Sequence, residues 1–380
     1  MTRAKCNMSE DIRIAMSGNR VVARCCDEEI GRIMVPEIRF QWCAHTFVPM
    51  GGIGGVGTQE AFRKQGVAGR MMTQAVAYSK AAGYACGGVS TGTANVARRL
   101  YSRAGYAYVF SIQRFVRTPR SPAADLPADT HIRGYQKGDA HTVLRIREAV
   151  YGGFFGPREA DVSRWLAWRR KTLETRSDSV LLAFQDGEPV GYASYFQHWF
   201  NLVCDMYVTE CRDRPAVGRG LVRALESRLS DVGCEHAVFY VTENERFAQA
   251  LLETEGYRRK RDRAFHVRIF RPDALLRALE PCLANRVRAS RIPDWTGTLV
   301  VETDQTRATA GIGKASNRNE LVLATSQPTL TQMLCGRLSG WEAYLRGELH
   351  VRSGMGERTP ALLQALLPEI PSCHPMDDWW

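Results

Sequence analysis

The order of elements repeats along the chain, and that repetition limits the fold more than any other feature of its 380 residues. A strand, a glycine-bearing turn, a helix, a strand and a second helix closing on Gly-Tyr occur twice. In the first copy, Val48-Pro49-Met50 opens a stretch with five glycines between Gly51 and Gly57. Val67, Met71, Ala75 and Tyr78 then recur at helical spacing until Gly83 stops them. Residues 86–91 read as a strand and 95–104 as a helix, which ends at Gly105-Tyr106. In the second copy the same order runs through a strand at 202–208, a turn with Gly218 and Gly220, a helix at 221–229, a strand at 237–241 and a helix at 247–255. It ends at Gly256-Tyr257. This is an internal duplication of an α+β unit.

Ahead of the first copy, residues 13–24 read as two short strands around Ser17-Gly18-Asn19, and 37–47 as another. The Pro/Ala-rich stretch 121–129 marks a boundary. Helical patterns at 141–150 and 162–173 and a hairpin at 180–184 and 190–196, turning through Asp186-Gly187, lead into the second copy. Near Pro272 the pattern changes to strands at 296–303, 308–312, 321–325 and 348–351, with helices at 329–334 and 340–346. The reading is three domains, at 1–125, 126–271 and 272–380.

A content of 44% hydrophobic and 24% charged residues suits globular domains. No apolar run of 18 residues occurs, and the first residues carry charges without an apolar core, so the expectation is a cytoplasmic chain with no membrane insertion. The eleven cysteines are scattered and never spaced CxxC, which points to reduced thiols; Cys25 and Cys26 are expected on opposite faces of one strand. The eight histidines show no paired spacing, so no metal is expected. The net charge of +11 is spread along the chain without a basic-aromatic stripe. It argues for an anionic small molecule rather than a specific nucleic-acid partner.

The chemistry concentrates in the first copy. Arg63, Lys64, Gln65, Gly66, Val67, Ala68 and Gly69 stand between a strand and a helix N-terminus. There, unpaired N–H groups and a positive dipole favour a pyrophosphate, small residues admit it and cations add charge. Taken alone, an ordinary basic helical turn would explain the pattern equally well.

Two motifs together decide between these readings. Asn95-x-Ala97-x-x-Leu100-Tyr101-x-x-x-Gly105-Tyr106 resembles the signature of GNAT acyltransferases, and Arg63 to Ala68 resembles their R-x-x-G-x-G/A pyrophosphate motif. The resemblance implies acetyl-CoA as co-substrate, its pantetheine arm along Val56, Gly57 and Thr58, and Tyr101 as the acid that protonates the departing thiolate. The alternative for Tyr101 is a half-buried packing residue. The second copy also resembles GNAT but departs from it: glycine comes four residues after Arg214, and Leu252 stands where Tyr101 does. It reads as structural or acceptor-binding, with the Gly218–Gly220 turn and Asn244 as an alternative site.

The third segment resembles the sterol carrier protein fold in Pro328 to Leu338 and Gly347 to Leu349. Two GNAT units followed by such a domain resemble the enhanced intracellular survival (Eis) family, as does the ending Cys373 to Trp380. That resemblance implies a homo-oligomer, hexameric in the family, and a C-terminal carboxylate, here of Trp380, acting as base. It also implies a small cationic amine acceptor such as an aminoglycoside, for which Glu28, Glu29, Glu60, Asp377 and Asp378 could form acidic walls. An acceptor from specialised metabolism and a non-enzymatic acyl-CoA or lipid binder remain open.

Overall fold

The structure is a computed structural model, and it describes residues 12–120, 126–175, 179–198, 201–313, 319–354 and 356–373. It opens with β1 (Ile12–Ser17), β2 (Arg20–Cys25), β3 (Glu28–Met34), β4 (Glu37–Cys43) and β5 (Thr46–Thr58). The strand expected over 37–47 is therefore a hairpin, turned where His45 takes a φ of +58°. Cys26 also has a positive φ, 48°, and belongs to the turn between β2 and β3 rather than to a strand. Upstream of a single 3-10 turn (Glu60–Phe62), no helix occurs among the described residues.

Then come α1 (Val67–Ala81), β6 (Cys86–Gly92), α2 (Ala97–Arg103) and β7 (Ala107–Arg117). Met71, Met72, Ala75 and Val76 of α1 are buried against Val21, Ile30, Ile53 and Val89 of the sheet, as the helical spacing of the apolar residues requires. The second unit runs β8 (Thr130–Gly134), α3 (Ala140–Tyr151), α4 (Val162–Thr175), β9 (Val180–Gln185), β10 (Glu188–His198), β11 (Asn201–Val208), α5 (Pro215–Asp231), β12 (Ala237–Thr242), α6 (Arg246–Thr254) and β13 (Arg258–Ile269).

All thirteen strands form one sheet, in the order β1-β2-β3-β5-β6-β13-β7-β12-β11-β10-β9-β8, with β4 beside β5. The two units exchange their last strands. β13 of the second unit lies between β6 and β7, and β7 of the first pairs with β12 from Ile112↔Thr242 to Arg117↔Ala237. The sheet thus runs without a break across the sequence boundary near residue 125.

The last segment has α7 (Pro272–Arg288), β14 (Gly297–Glu302), β15 (Arg307–Ile312), β16 (Glu320–Thr325), α8 (Gln327–Leu334), α9 (Gly340–Leu345), β17 (Leu349–Ser353) and α10 (Thr359–Leu366). Its four-stranded sheet has the order β15-β14-β16-β17. Its core is continuous with the underside of the large sheet, where Phe40, Trp42 and Phe265 are buried among Leu276, Leu330 and Leu334. Each such side chain contributes roughly 1.5–3 kcal/mol through burial, and the Trp42 indole N–H satisfies itself on the Leu334 carbonyl at 2.8 Å. Cys43 and Cys282 form a disulfide at the same junction, with Cα atoms 6.8 Å apart, so the expectation of reduced thiols fails for this pair.

Candidate active site

β5 and β6 are parallel and pair only from Met50↔Cys86 to Ile53↔Val89. Further along, Gly54, Gly57 and Thr58 pair with Met34, Arg32 and Gly31 of β3, while Ser90 to Gly92 pair with Phe265 to Arg263 of β13. The two strands therefore part, and among the described residues no strand lies beside the edge of β5 at Val56–Thr58 that faces away from β3. Gly55, at a φ of +56°, supplies a backbone conformation that L side chains rarely adopt, next to a register shift between Arg32 and Met34.

The chain leaves this opening through Arg63–Gly66. Lys64 and Gly66 both take left-handed conformations (φ +62° and +77°), and Gly66 caps α1. The Arg70 N–H bonds to the Gly66 carbonyl at 3.0 Å, which leaves the N–H groups of Val67, Ala68 and Gly69 ahead of the first intrahelical acceptor. A Cβ built on Gly66 or Gly69 would meet nothing within 4 Å, so the turn is an open cradle suited to a pyrophosphate. Gln65 braces it with a 2.9 Å bond to the Ala61 carbonyl, and Arg63 with one of 3.3 Å to Thr58. Arg70 is drawn off instead to the Ile12 carbonyl, at 2.7 Å.

A cleft of about 660 Å³ lies over the cradle, walled by Thr58, Phe62, Arg63, Lys64, the first turn of α1, Met72 and Thr73. Its other wall is α2 and its approach: Val96, Arg99, Leu100, Arg103 and Ala104. Val56, Gly57 and Gln65 are not among the lining residues, the first two lying on the strand that leads into the cleft. Asn95 is also outside it. Its Oδ1 accepts from the Ala97 N–H at 2.9 Å, and the residue borders a neighbouring concavity. Of the acids expected to wall an acceptor, Glu29 is compensated by Arg20 at 3.0 Å and Arg32 at 3.8 Å, and Glu28 accepts from Gln59 at 3.2 Å. Trp380, Asp377 and Asp378 lie outside the described residues.

Tyr101 sits behind that wall. Its ring is 4% exposed, packed edge-on to Tyr106 at 6.5 Å, and burial pushes its phenol up to about 12. At neutral pH it is a hydrogen-bond donor and not an anion. A group near 12 would serve a thiolate of ordinary basicity, near 8.5, as a hydrogen-bond donor and not by full proton transfer.

The strand exchange brings in residues that no motif singles out. His266 of β13 is level with Val89 of the first unit and with Tyr108. It is 3% exposed, and burial, aided by the Arg98 charge, pulls its imidazole down to about 4. Glu243, just past β12, accepts from Tyr108 at 3.1 Å, Ser111 at 2.8 Å and Arg337 at 3.1 Å, tying all three segments together. Short-range patterns miss these residues, because their meeting depends on which strands become neighbours.

In the second unit the corresponding place is closed by described side chains. β11 and β12 pair from Leu202↔Ala237 to Cys204↔Phe239 and then part as β5 and β6 do. However, Gly218 and Gly220 lie within α5, which begins at Pro215, and not in a turn. A Cβ on Gly218 would come 2.8 Å from Leu251 and 3.2 Å from Phe247 of α6; one on Gly220 would collide with Leu126. The space left at the parting, about 20 Å³, is bordered by Tyr151, Asp205, Tyr207, Glu245 and Leu252. Asn244 is engaged with the tail, its Nδ2 donating to Ser372 Oγ at 2.9 Å. The alternative site at Gly218, Gly220 and Asn244 is therefore filled by the chain itself.

Comparison with known proteins agrees with the geometry. Residues 8–109 match the acetyltransferase (GNAT) domain model and residues 141–257 the acetyltransferase (GNAT) family model. The chain is a tandem GNAT acyltransferase. Among solved structures, a GCN5-related N-acetyltransferase from Kribbella flavida is 16% identical with a TM-score of 0.60, over 96% of this chain and 87% of that one. A conserved protein of unknown function from Enterococcus faecalis V583, a probable N-acyltransferase, is 14% identical with a TM-score of 0.63, over 94% and 87%. Eis1 from Mycobacterium abscessus is 14% identical with a TM-score of 0.52, over 95% and 90%. At such identities the likeness shows the fold. No curated protein matches the chain in sequence.

Proposed function

We propose that this acyltransferase works from its first unit and moves an acetyl group from acetyl-CoA to a primary amine of a small cationic acceptor, in the manner of the Eis family it resembles. The observation that carries the choice of unit is the contrast at the two helix starts: open space at Gly66 and Gly69, and the chain's own side chains at Gly218 and Gly220. The Val67–Gly69 N–H groups hold the pyrophosphate, Arg63 and Lys64 neutralise it, and the open edge of β5 at Val56–Thr58 pairs with the pantetheine amides. The co-substrate supplies a thioester carbonyl. As the amine attacks it, a C–N bond forms, the C–S bond breaks, and Tyr101 donates a hydrogen bond to the departing sulfur.

For the base, the Eis resemblance implies a C-terminal carboxylate, here that of Trp380. What supports it is where the tail is led: the Ser372 carbonyl accepts from Thr242 Oγ1 at 2.6 Å and the Cys373 N–H donates to Phe155 at 2.9 Å. Ser372 is thereby held at Thr242 and Asn244, which flank Glu243, and Glu243 bonds to the first unit's Tyr108 and Ser111. Thiol release from acetyl-CoA across a panel of aminoglycosides, polyamines and lysine derivatives tests the proposal. Coenzyme binding without release with any amine would favour an acyl-CoA sensor. Loss of release on extending the chain past Trp380, with coenzyme affinity kept, would support the terminal carboxylate.

A further inference from the structure

Between Glu60 and Asp125 the chain has no carboxylate side chain and ten lysines and arginines, against a net charge of +11 for the whole protein. This stretch forms the wall of the donor cleft and continues past it. Arg98, Arg99 and Arg103 of α2 are exposed, and among the described residues no carboxylate pairs with them. Arg98 makes one bond, 3.0 Å to the Thr93 carbonyl, which holds it on the flank of α2 that does not line the donor cleft. That flank carries a shallow concavity of about 620 Å³, with Ala94 and Val96 among the three arginines. Val96 is 85% exposed, the most of any large hydrophobic residue among the described residues.

A free nucleotide does not account for this surface. The α1 turn with Arg63 and Lys64 would meet a coenzyme's pyrophosphate, while Arg98 and Ser102 are not among the residues that line that cleft. An exposed apolar centre within a cationic rim has the anatomy of a protein interface whose partner is acidic. Its continuity with the donor cleft indicates what that partner delivers.

We propose that this flank of α2 docks an acidic acyl-carrier protein, which presents the acyl group on a phosphopantetheine arm; the inference rests on the acyl-transfer reading above. The arm's single phosphate occupies the Val67–Gly69 turn and the carrier's acidic helix faces Arg98, Arg99 and Arg103 around Val96. The chemistry is unchanged: the acceptor nitrogen bonds to the acyl carbon and loses its proton to the base, the C–S bond breaks, and the sulfur takes a proton, leaving the carrier with a free thiol.

The test uses the full chain, one amine acceptor and three donors with the same acetyl group: acetyl-CoA, acetyl-pantetheine and acetyl-loaded carrier protein. The variant Arg98→Glu/Ser102→Glu changes only residues outside the donor cleft. We expect KM for the loaded carrier to rise at least about tenfold in the variant at fixed salt, with kcat unchanged and the other two donors shifted less than about twofold, and in the parent to climb more steeply than that of acetyl-CoA between about 50 and about 300 mM salt. Titration with thiol-free carrier, monitored by anisotropy, should show the same loss. Equal shifts for acetyl-CoA and carrier, or no carrier binding while acetyl-CoA is used, would overturn the proposal and leave these arginines to the coenzyme. If no donor acetylates any amine, the acyl-transfer reading fails, while the titration still decides whether the carrier docks.

Discussion

The two units begin their central helices differently, and that difference is what the proposed function rests on in assigning the donor to the first. In the first, the chain runs through Arg63–Gly66 in irregular conformations and enters α1 only at Val67, so its first N–H groups face an open cleft. In the second, Pro215 is already helical, its ring removing one N–H and fixing φ for the first turn, and the glycines that follow are inside the helix. Small residues at a helix start have two uses: room for a ligand, or room for a neighbouring helix. Phe247 and Leu251 of α6 take that room in the second unit. Strand parting is common to both, so it is the helix start, and what lies on it, that distinguishes the two units.

The largest expected effect sharpens the scaffold side. Arg117, on the exchanged strand β7, pairs with Glu226 of α5, which is fully buried and also accepts from the Tyr257 hydroxyl at 2.5 Å. Arg117→Met leaves that carboxylate without its cation and should cost about 3–5 kcal/mol in urea unfolding; a loss under about 1 kcal/mol would mean the exchange is not locked there. Next, Gly66→Glu places a negative charge in a left-handed position at the cradle. Calorimetry should show coenzyme A affinity falling about a hundredfold, about 2.7 kcal/mol, with the protein still folded and its stability lowered by only about 1 kcal/mol from the left-handed position. Retained affinity would reverse the assignment of the units. Gly218→Ala should do the opposite, costing about 1–3 kcal/mol of stability through overpacking against Leu251 while coenzyme binding is untouched. Tyr101→Phe should lower turnover about tenfold or more at unchanged coenzyme affinity, and an effect below about threefold would return Tyr101 to a packing role.

The helix of the first unit is legible in the sequence because its signals are local: the apolar spacing from Val67 to Tyr78 and the stop at Gly83 match α1 and its end closely. The cradle is legible for the same reason. The second start reads as a turn in sequence and is a helix in the structure, because glycine is ambiguous and only the tertiary contacts of Gly218 and Gly220 show that they admit other side chains. Strand exchange leaves no local trace. β7 and β13 would each make a plausible strand beside either half of the sheet, so nothing in their residues announces that His266, Tyr108 and Glu243 meet. The Cys43–Cys282 pair, 239 residues apart, is hidden for the same reason. Tyr101 shows the limit of a motif, which locates it in the chain but does not tell that Leu100 and Ala104, rather than Tyr101, line the cleft.

The smallest expected effect concerns the acid that fills the second unit's parted strands. Glu245 is hydrogen-bonded by the Tyr151 hydroxyl and by Thr242, through its N–H at 2.7 Å and its hydroxyl at 2.9 Å, yet burial holds its carboxyl above the ordinary range. The folded state therefore binds this proton more tightly than the unfolded chain does. Stability from this group is complete below the unfolded value, near 4.5, and is lost as pH rises through the folded one. Glu245→Gln keeps an acceptor for Thr242 and offers N–H groups to Tyr151 without a charge. The variant should match the parent below pH 4.5 and become progressively the more stable of the two as pH rises to 7.5, the sign that a raised folded-state carboxyl dictates. Comparing parent and variant at each pH isolates Glu245 from Glu226, whose carboxyl burial also raises, and from His266, whose imidazole burial lowers. A parent that gains stability over the variant as pH rises would show that Glu245 is held as a paired carboxylate. The second unit would then keep a charged, site-like centre, and the contrast between an open first unit and a sealed second one would have to be redrawn.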